Sequence, residues 1–371
     1  MSNESKTEAH RLNELGQSVW LDSISRDMLQ GGDLERMIDE LGIVGVTSNP
    51  TIFAQALSGS DLYDDHIAEV AGSGADDRAV FERLAGDDIR DACDALRSVY
   101  ERTDGVDGMV SIEIEPDLAH DTDASLERAH ELWNLVDRPN LMIKVPATEE
   151  GLPVVEELIF AGINVNVTLL FAVAMHREVM ERYLRGLERR AEAGLDLNVA
   201  SVASFFVSRV DTAVDAELER IGSADAAALL GKVAVANAEL AWDAYLSVFT
   251  SDRFLRLKAA GALPQRPLWA STGTKNPAYP DILYVQDLIV PGTVNTMPLK
   301  TLQAFIDHGE ARVTIENTQP AHELVAKLAD VGVDLDAITT RLRVEGVDSF
   351  VKSYEELLAG LADKRSQLAS A

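Results

Sequence analysis

Cysteine is nearly absent. The 371 residues include one, Cys93, so no internal disulfide can form and a reducing, cytoplasmic setting is expected. Cys93 falls in a helical pattern with Ala92 and Leu96 and reads as a small core residue rather than a nucleophile. Long apolar runs are missing too. No stretch approaches the ~20 uninterrupted apolar residues of a membrane span. The opening Met1-Ser2-Asn3-Glu4-Ser5-Lys6 lacks the basic and apolar pattern of a leader. Positive charge is scarce: 33 Lys and Arg face 62 Asp and Glu, a formal net charge of −29. Such a chain repels nucleic acid and anionic membranes at long range, so neither is expected as a partner. Any basic contact to an anionic ligand must then be local. There is no Walker loop and no Gly-x-Gly-x-x-Gly unit at a strand–helix junction, which argues against nucleotide binding. The histidines at 10, 66, 120, 130, 176, 308 and 322 show no metal-ligand spacing, and no metal is expected.

What is present is a large apolar fraction in a repeating order. With 46% hydrophobic residues the chain can bury a sizeable core. Apolar strand-like runs alternate with helical patterns, the mark of parallel β/α architecture. The expected strands are Ser18–Asp22, Ile43–Thr47, Met109–Ile114, Leu141–Val145, Ile163–Leu169, Val199–Phe205, Pro267–Ser271 and Ile282–Val285. Eight of them predict an α/β fold, a (β/α)8 TIM barrel, with a core over about 17–297. Additional helices are expected in 58–107 and 213–263, and a helical C-terminal tail over about 298–371. With no Pro-rich or Gly/Ser-rich linker, one domain over 1–371 is the simplest organisation. The helix after Thr148 is well signalled: Thr148 caps it, Glu149 and Glu150 suit its positive end, and Gly162 stops it. Leu152, Val155, Leu158 and Ile159 form its apolar stripe.

Lys144 interrupts the most apolar of these strands, Leu141-Met142-Ile143-Lys144-Val145-Pro146. Two readings are open. The ammonium can snorkel to water or pair with a carboxylate at the strand end. Alternatively, desolvation disfavours the charged form and frees the amine as a nucleophile for Schiff-base chemistry. Neighbouring strands favour the second. Alternation puts Asn164, Asn166 and Thr168 on one face of strand five, Ser111 and Glu113 on one face of strand three, and Val202, Ser204 and Phe206 on one face of strand six. Strand one ends in Asp22, strand two runs into Thr47 and Asn49, and strand seven ends in Ser271. The C-terminal strand ends of such a barrel form the active-site mouth. Two cations stand out against the acidic background: Arg209 after strand six, and Lys275 in the loop Ser271-Thr272-Gly273-Thr274-Lys275-Asn276, which suits a phosphate but also reads as an ordinary strand-to-helix turn.

These motifs resemble the transaldolases, in order from about Gln17 to Phe350. Val46-Thr47-Ser48-Asn49-Pro50 is similar to the strand-two motif. Ser111-Ile112-Glu113-Ile114-Glu115-Pro116, with Asp121-Thr122, is similar to the strand-three motif. Ile143-Lys144-Val145-Pro146-Ala147-Thr148 is similar to the Schiff-base strand, and Gly162-Ile163-Asn164-Val165-Asn166-Val167-Thr168-Leu169-Leu170-Phe171 is the most specific match. The added helices and the 270–277 segment resemble the longer bacterial type.

The resemblance implies transfer of a dihydroxyacetone unit from sedoheptulose 7-phosphate to glyceraldehyde 3-phosphate, within the pentose phosphate pathway and without a cofactor. It implies that Lys144 forms the imine, that Asp22 takes the C4 hydroxyl proton, and that Glu113 acts through a water held with Thr168 rather than by direct contact. Asn49, Asn166 and Ser204 would bind the dihydroxyacetone unit, with Phe206 beside it, and Arg209, Ser271 and Lys275 the phosphate. Many transaldolases carry an arginine, in a shorter loop, where Lys275 stands. Related fructose 6-phosphate aldolases, which release free dihydroxyacetone, carry glutamine and tyrosine in place of Glu113 and Phe206. A barrel that binds sugar phosphates without catalysis is a third reading, and a monomer or homodimer is expected.

Overall fold

In the computed structural model, which describes residues 6–370 apart from Ser73, eight parallel strands pair in chain order and the last returns to the first. The leader reading above therefore falls, apart from Lys6, outside the described residues. The strands are β1 Gln17–Leu21, β2 Gly45–Val46, β3 Met109–Glu113, β4 Leu141–Pro146, β5 Val165–Leu170, β6 Ser201–Phe206, β7 Arg266–Ala270 and β8 Thr293–Met297. Helices surround this closed barrel, giving the (β/α)8 fold.

Seven strands lie within two residues of their expected bounds, but the eighth does not. Ile282–Val285 was expected as a strand, and instead Leu283–Gln286 is a short helix that buries Tyr284 and Val285. The real β8 is Thr-Val-Asn-Thr-Met, fully buried although three of its five residues are polar. Its two threonine hydroxyls find partners inside the barrel, while the buried Asn295 Oδ1 has none among the described residues. Thr293 Oγ1 donates to the Val290 carbonyl, and Thr296 Oγ1 meets Thr47 Oγ1 at 2.7 Å. An apolar-run criterion passes over such a strand. The Pro291-Gly292 turn in front of it, with Gly292 at φ +80°, is the signal that marks its start.

The Gly151–Ala161 helix follows its expected pattern. Gly151 N donates to Thr148 Oγ1 at 2.9 Å, Gly162 ends the helix at φ +84°, and Leu152, Val155, Leu158 and Ile159 are buried. Asn164 precedes β5 and is structural: its amide donates to the carbonyls of Pro139 and Leu141 and accepts from Ala200 N.

The tail ends in one continuous helix, Leu335–Ser370, of 36 residues and so about 54 Å long. Its stripe of Ile338, Leu342, Val347, Phe350, Tyr354, Leu357 and Leu361 is buried. It packs against the Pro50–Gly59 helix, the Ser208–Ile221 helix and β5, so it lies over the C-terminal mouth of the barrel. Among the described residues no helix is long and apolar enough to cross a membrane.

Candidate active site

The parallel registers set the site. Glu113 of β3 pairs with Lys144 of β4, and Lys144 pairs with Asn166 of β5. Lys144 is 5% exposed, and its ammonium donates to the Ser48 carbonyl at 3.0 Å and to Glu113 Oε2 at 3.1 Å. The carboxylate therefore touches the lysine directly, against the expectation of an intervening water. The register explains this, because it puts the two Cα atoms side by side. Thr168 Oγ1, two residues further along β5 than Asn166, is buried and has no protein partner.

Above this pair opens a cleft of about 260 Å³. Asp22, Asn49, Lys144, Thr168, Ser204, Phe206, Arg209 and Ser271 all line it, so most of the residues chosen from sequence share one space. Asn166 sits below, fully buried: it donates to Ser111 Oγ at 3.0 Å and accepts from Ser204 Oγ at 2.6 Å. Asn49 caps the Pro50–Gly59 helix, its Oδ1 accepting from Ile52 N at 3.0 Å. Asp22 Oδ1 accepts from Thr47 Oγ1 at 2.7 Å. Next to Thr168 the backbone is strained, with Leu169 at φ +60° and the β5–β6 register shifting between Val167 and Leu170.

Burial pushes both carboxyl groups upward from their ordinary values. Burial raises the Asp22 pKa above its ordinary value, opposed by the Thr47 hydrogen bond and then by Lys144. Burial also raises Glu113, with Lys144 opposing and the charge of Asp22 adding to the rise. Two acids of this kind around one amine can pass a proton at little cost.

The profile of the family described as Transaldolase/Fructose-6-phosphate aldolase matches residues 19–361. The chain is 56% identical over 350 residues to a transaldolase of Mycolicibacterium smegmatis, covering 94% of each chain. It is 53% identical over 351 residues to one of Mycobacterium ulcerans (94% of each), and 52% identical over 364 to one of Mycolicibacterium paratuberculosis (97% of each). The chain belongs to the transaldolase/fructose-6-phosphate aldolase family.

For a member of this family, the C-terminal helix supplies a group that sequence reading missed. Phe350 lines the cleft with its ring centroid 5.8 Å from Lys144 Nζ. Around it, Arg343 Nη1 donates to the Ala147 carbonyl at 3.3 Å and Thr51 Oγ1 to Ser353 Oγ at 3.1 Å, which fix the helix on the mouth. The sequence reading placed Phe350 only within a helical tail, and nothing local distinguishes it from its core neighbours in the buried stripe.

The opposite end of the cleft is cationic. Arg209 stands 5.8 Å from the Phe206 ring centroid, and burial lowers its pKa against the opposing charge of Glu345. Lys275 is outside the cleft lining, in an exposed position, yet its pKa is lowered by partial desolvation first and by the like charge of Arg209 second. Among the described residues neither cation forms an ion pair. Ser271 borders them at φ +56°, its hydroxyl 2.9 Å from Ser208 Oγ.

Proposed function

We propose that this chain is a transaldolase that moves a dihydroxyacetone unit from sedoheptulose 7-phosphate to glyceraldehyde 3-phosphate, a transfer of the pentose phosphate pathway. The observation that carries the reading is the buried Lys144 amine, 3.1 Å from Glu113 and in a cleft shared with Asp22.

Glu113 takes the ammonium proton, and the freed Lys144 amine adds to the C2 carbonyl of the ketose. Glu113 returns the proton as the carbinolamine loses water to give the imine. The Thr168 hydroxyl, buried and without a protein partner among the described residues, holds that water with Glu113. Asp22 then takes the C4 hydroxyl proton. The C3–C4 bond breaks, its electron pair enters the cationic imine to give the enamine, and erythrose 4-phosphate leaves. The enamine carbon attacks the aldehyde of glyceraldehyde 3-phosphate, Asp22 gives its proton to the new C4 oxygen, and water releases fructose 6-phosphate. Asn49, Ser204 and, from below, Asn166 orient the three-carbon unit, with Phe206 beside it. Arg209, Ser271 and Lys275 hold the phosphate.

Phe350 faces the nitrogen that is cationic as imine, so it stabilises that state and excludes water from it. Phe350→Ala is expected to lower kcat/KM roughly 3- to 30-fold, the range of one cation–π contact. Steady-state kinetics checks this, and an unchanged value contradicts the role.

Transfer and free aldol cleavage are separated by supplying fructose 6-phosphate with and without erythrose 4-phosphate. Turnover is expected to need the acceptor. Rapid release of free dihydroxyacetone without it favours the aldolase reading.

A further inference from the structure

The two unpaired cations at the phosphate end repel each other, yet they sit on separate segments. Arg209 begins the Ser208–Ile221 helix, while Lys275 lies in the 271–282 loop after β7. Something other than charge must hold that loop in place before a phosphate arrives. Near Lys275 the loop is closed on itself, with Thr274 Oγ1 donating to the Pro280 carbonyl at 2.8 Å and Tyr279 N to the Asn276 carbonyl at 3.1 Å. At its base the loop meets the helix of Arg209 through Ser271 and Ser208, and beyond Lys275 its link to that helix is a side-chain bond, Tyr279 Oη to Asp215 Oδ2 at 2.7 Å. A second bond of the same kind follows just beyond the loop, Tyr284 Oη to Asp211 Oδ2 at 2.9 Å.

The carboxylates are themselves fixed by the helices inserted between β6 and β7. Asp215 Oδ1 accepts from Gly231 N at 3.0 Å, and Asp211 Oδ1 from Ala234 N at 2.7 Å. The Tyr279 ring also lies on Gly231, where a Cβ would come within 2.6 Å of the ring. Gly231 is at φ +67°, so both its backbone and its missing side chain serve this contact. The arrangement is a clamp: the turn at Gly231 to Asp215, Asp215 to Tyr279, Tyr279 to the loop of Lys275.

We propose that Asp215 and Tyr279 are positioning residues that hold Lys275 beside Arg209, and so set the preference for phosphorylated over unphosphorylated aldehyde acceptors. This rests on the reading of Arg209 and Lys275 as the phosphate end. Tyr279→Phe keeps the ring and deletes the bond. It is expected to raise KM for glyceraldehyde 3-phosphate roughly fivefold, a part of what one hydrogen bond to a charged group contributes. Inhibition by inorganic phosphate weakens by the same factor, while kcat and the rate with unphosphorylated glyceraldehyde stay unchanged.

Gly231→Ala, which pushes the ring away from the other side, gives the same split and replaces Tyr279→Phe should that variant fail to fold. Arg209→Ala is the control for the underlying reading. If Arg209→Ala discriminates between the two acceptors and the clamp variants do not, the clamp is wrong. If Arg209→Ala affects both acceptors equally, the phosphate end is misassigned and the proposal falls with it.

Discussion

Lys144→Ala is expected to lower turnover of fructose 6-phosphate with erythrose 4-phosphate by more than about 10⁴-fold, the scale seen when a covalent nucleophile is removed. No other amine can take its place. Lys144 is the cation that pairs with Glu113, Arg209 is the other cation lining the cleft and carries no amine of this kind, and Lys275 lies outside the lining. The fold is expected to survive. Removing one member of a buried ion pair costs about 3–5 kcal/mol when the other stays charged. Glu113 need not stay charged, because burial already raises its pKa and Lys144 is the main influence opposing that rise. In the variant Glu113 takes up a proton, and the loss of stability is smaller than the charged-state figure. Circular dichroism and a thermal melt check the fold, and a coupled assay checks the rate. Residual turnover within tenfold of the parent enzyme contradicts the assignment.

Asp22→Ala is expected to slow carbon–carbon cleavage about 10²- to 10⁴-fold, the usual contribution of a positioned general base. Its signature is distinctive because the proposed mechanism assigns imine formation to Glu113 and not Asp22, so the imine is expected to accumulate while cleavage stalls. The structural cost is small. Thr47 Oγ1, which donates to Asp22, also meets Thr296 Oγ1 at 2.7 Å and keeps that partner. Single-turnover cleavage and the fraction of enzyme trapped as imine are the two readouts. A variant with full turnover, or one with slow cleavage and no accumulated imine, removes Asp22 from this step.

The legible parts of the sequence were those carried by period and by strand ends. Lys144, Glu113, Asn166 and Thr168 come from two-residue alternation inside strands whose outer faces are apolar, and register then brings them together. Thr293–Met297 was illegible for the converse reason: an inward face filled with threonine and asparagine does not look like a strand to a hydrophobicity criterion. Contacts distant in sequence were hidden altogether. Phe350 reaches Lys144 only because a 36-residue helix crosses the barrel mouth, and alternation or caps near either residue say nothing about that crossing. Glu113 was placed one water too far away because the sequence gives the order of strands but not their register. Asn49 was read as a ligand contact alone, whereas half of its amide is engaged as a helix cap.

The most direct measurement is reductive trapping. The protein is incubated with fructose 6-phosphate, treated with borohydride, and digested for peptide mass spectrometry. The expected result is a single sugar-derived adduct on the peptide containing Lys144, absent from Lys144→Ala. An untouched Lys144 in an enzyme that still turns over, or an adduct carried by a different lysine, contradicts the account.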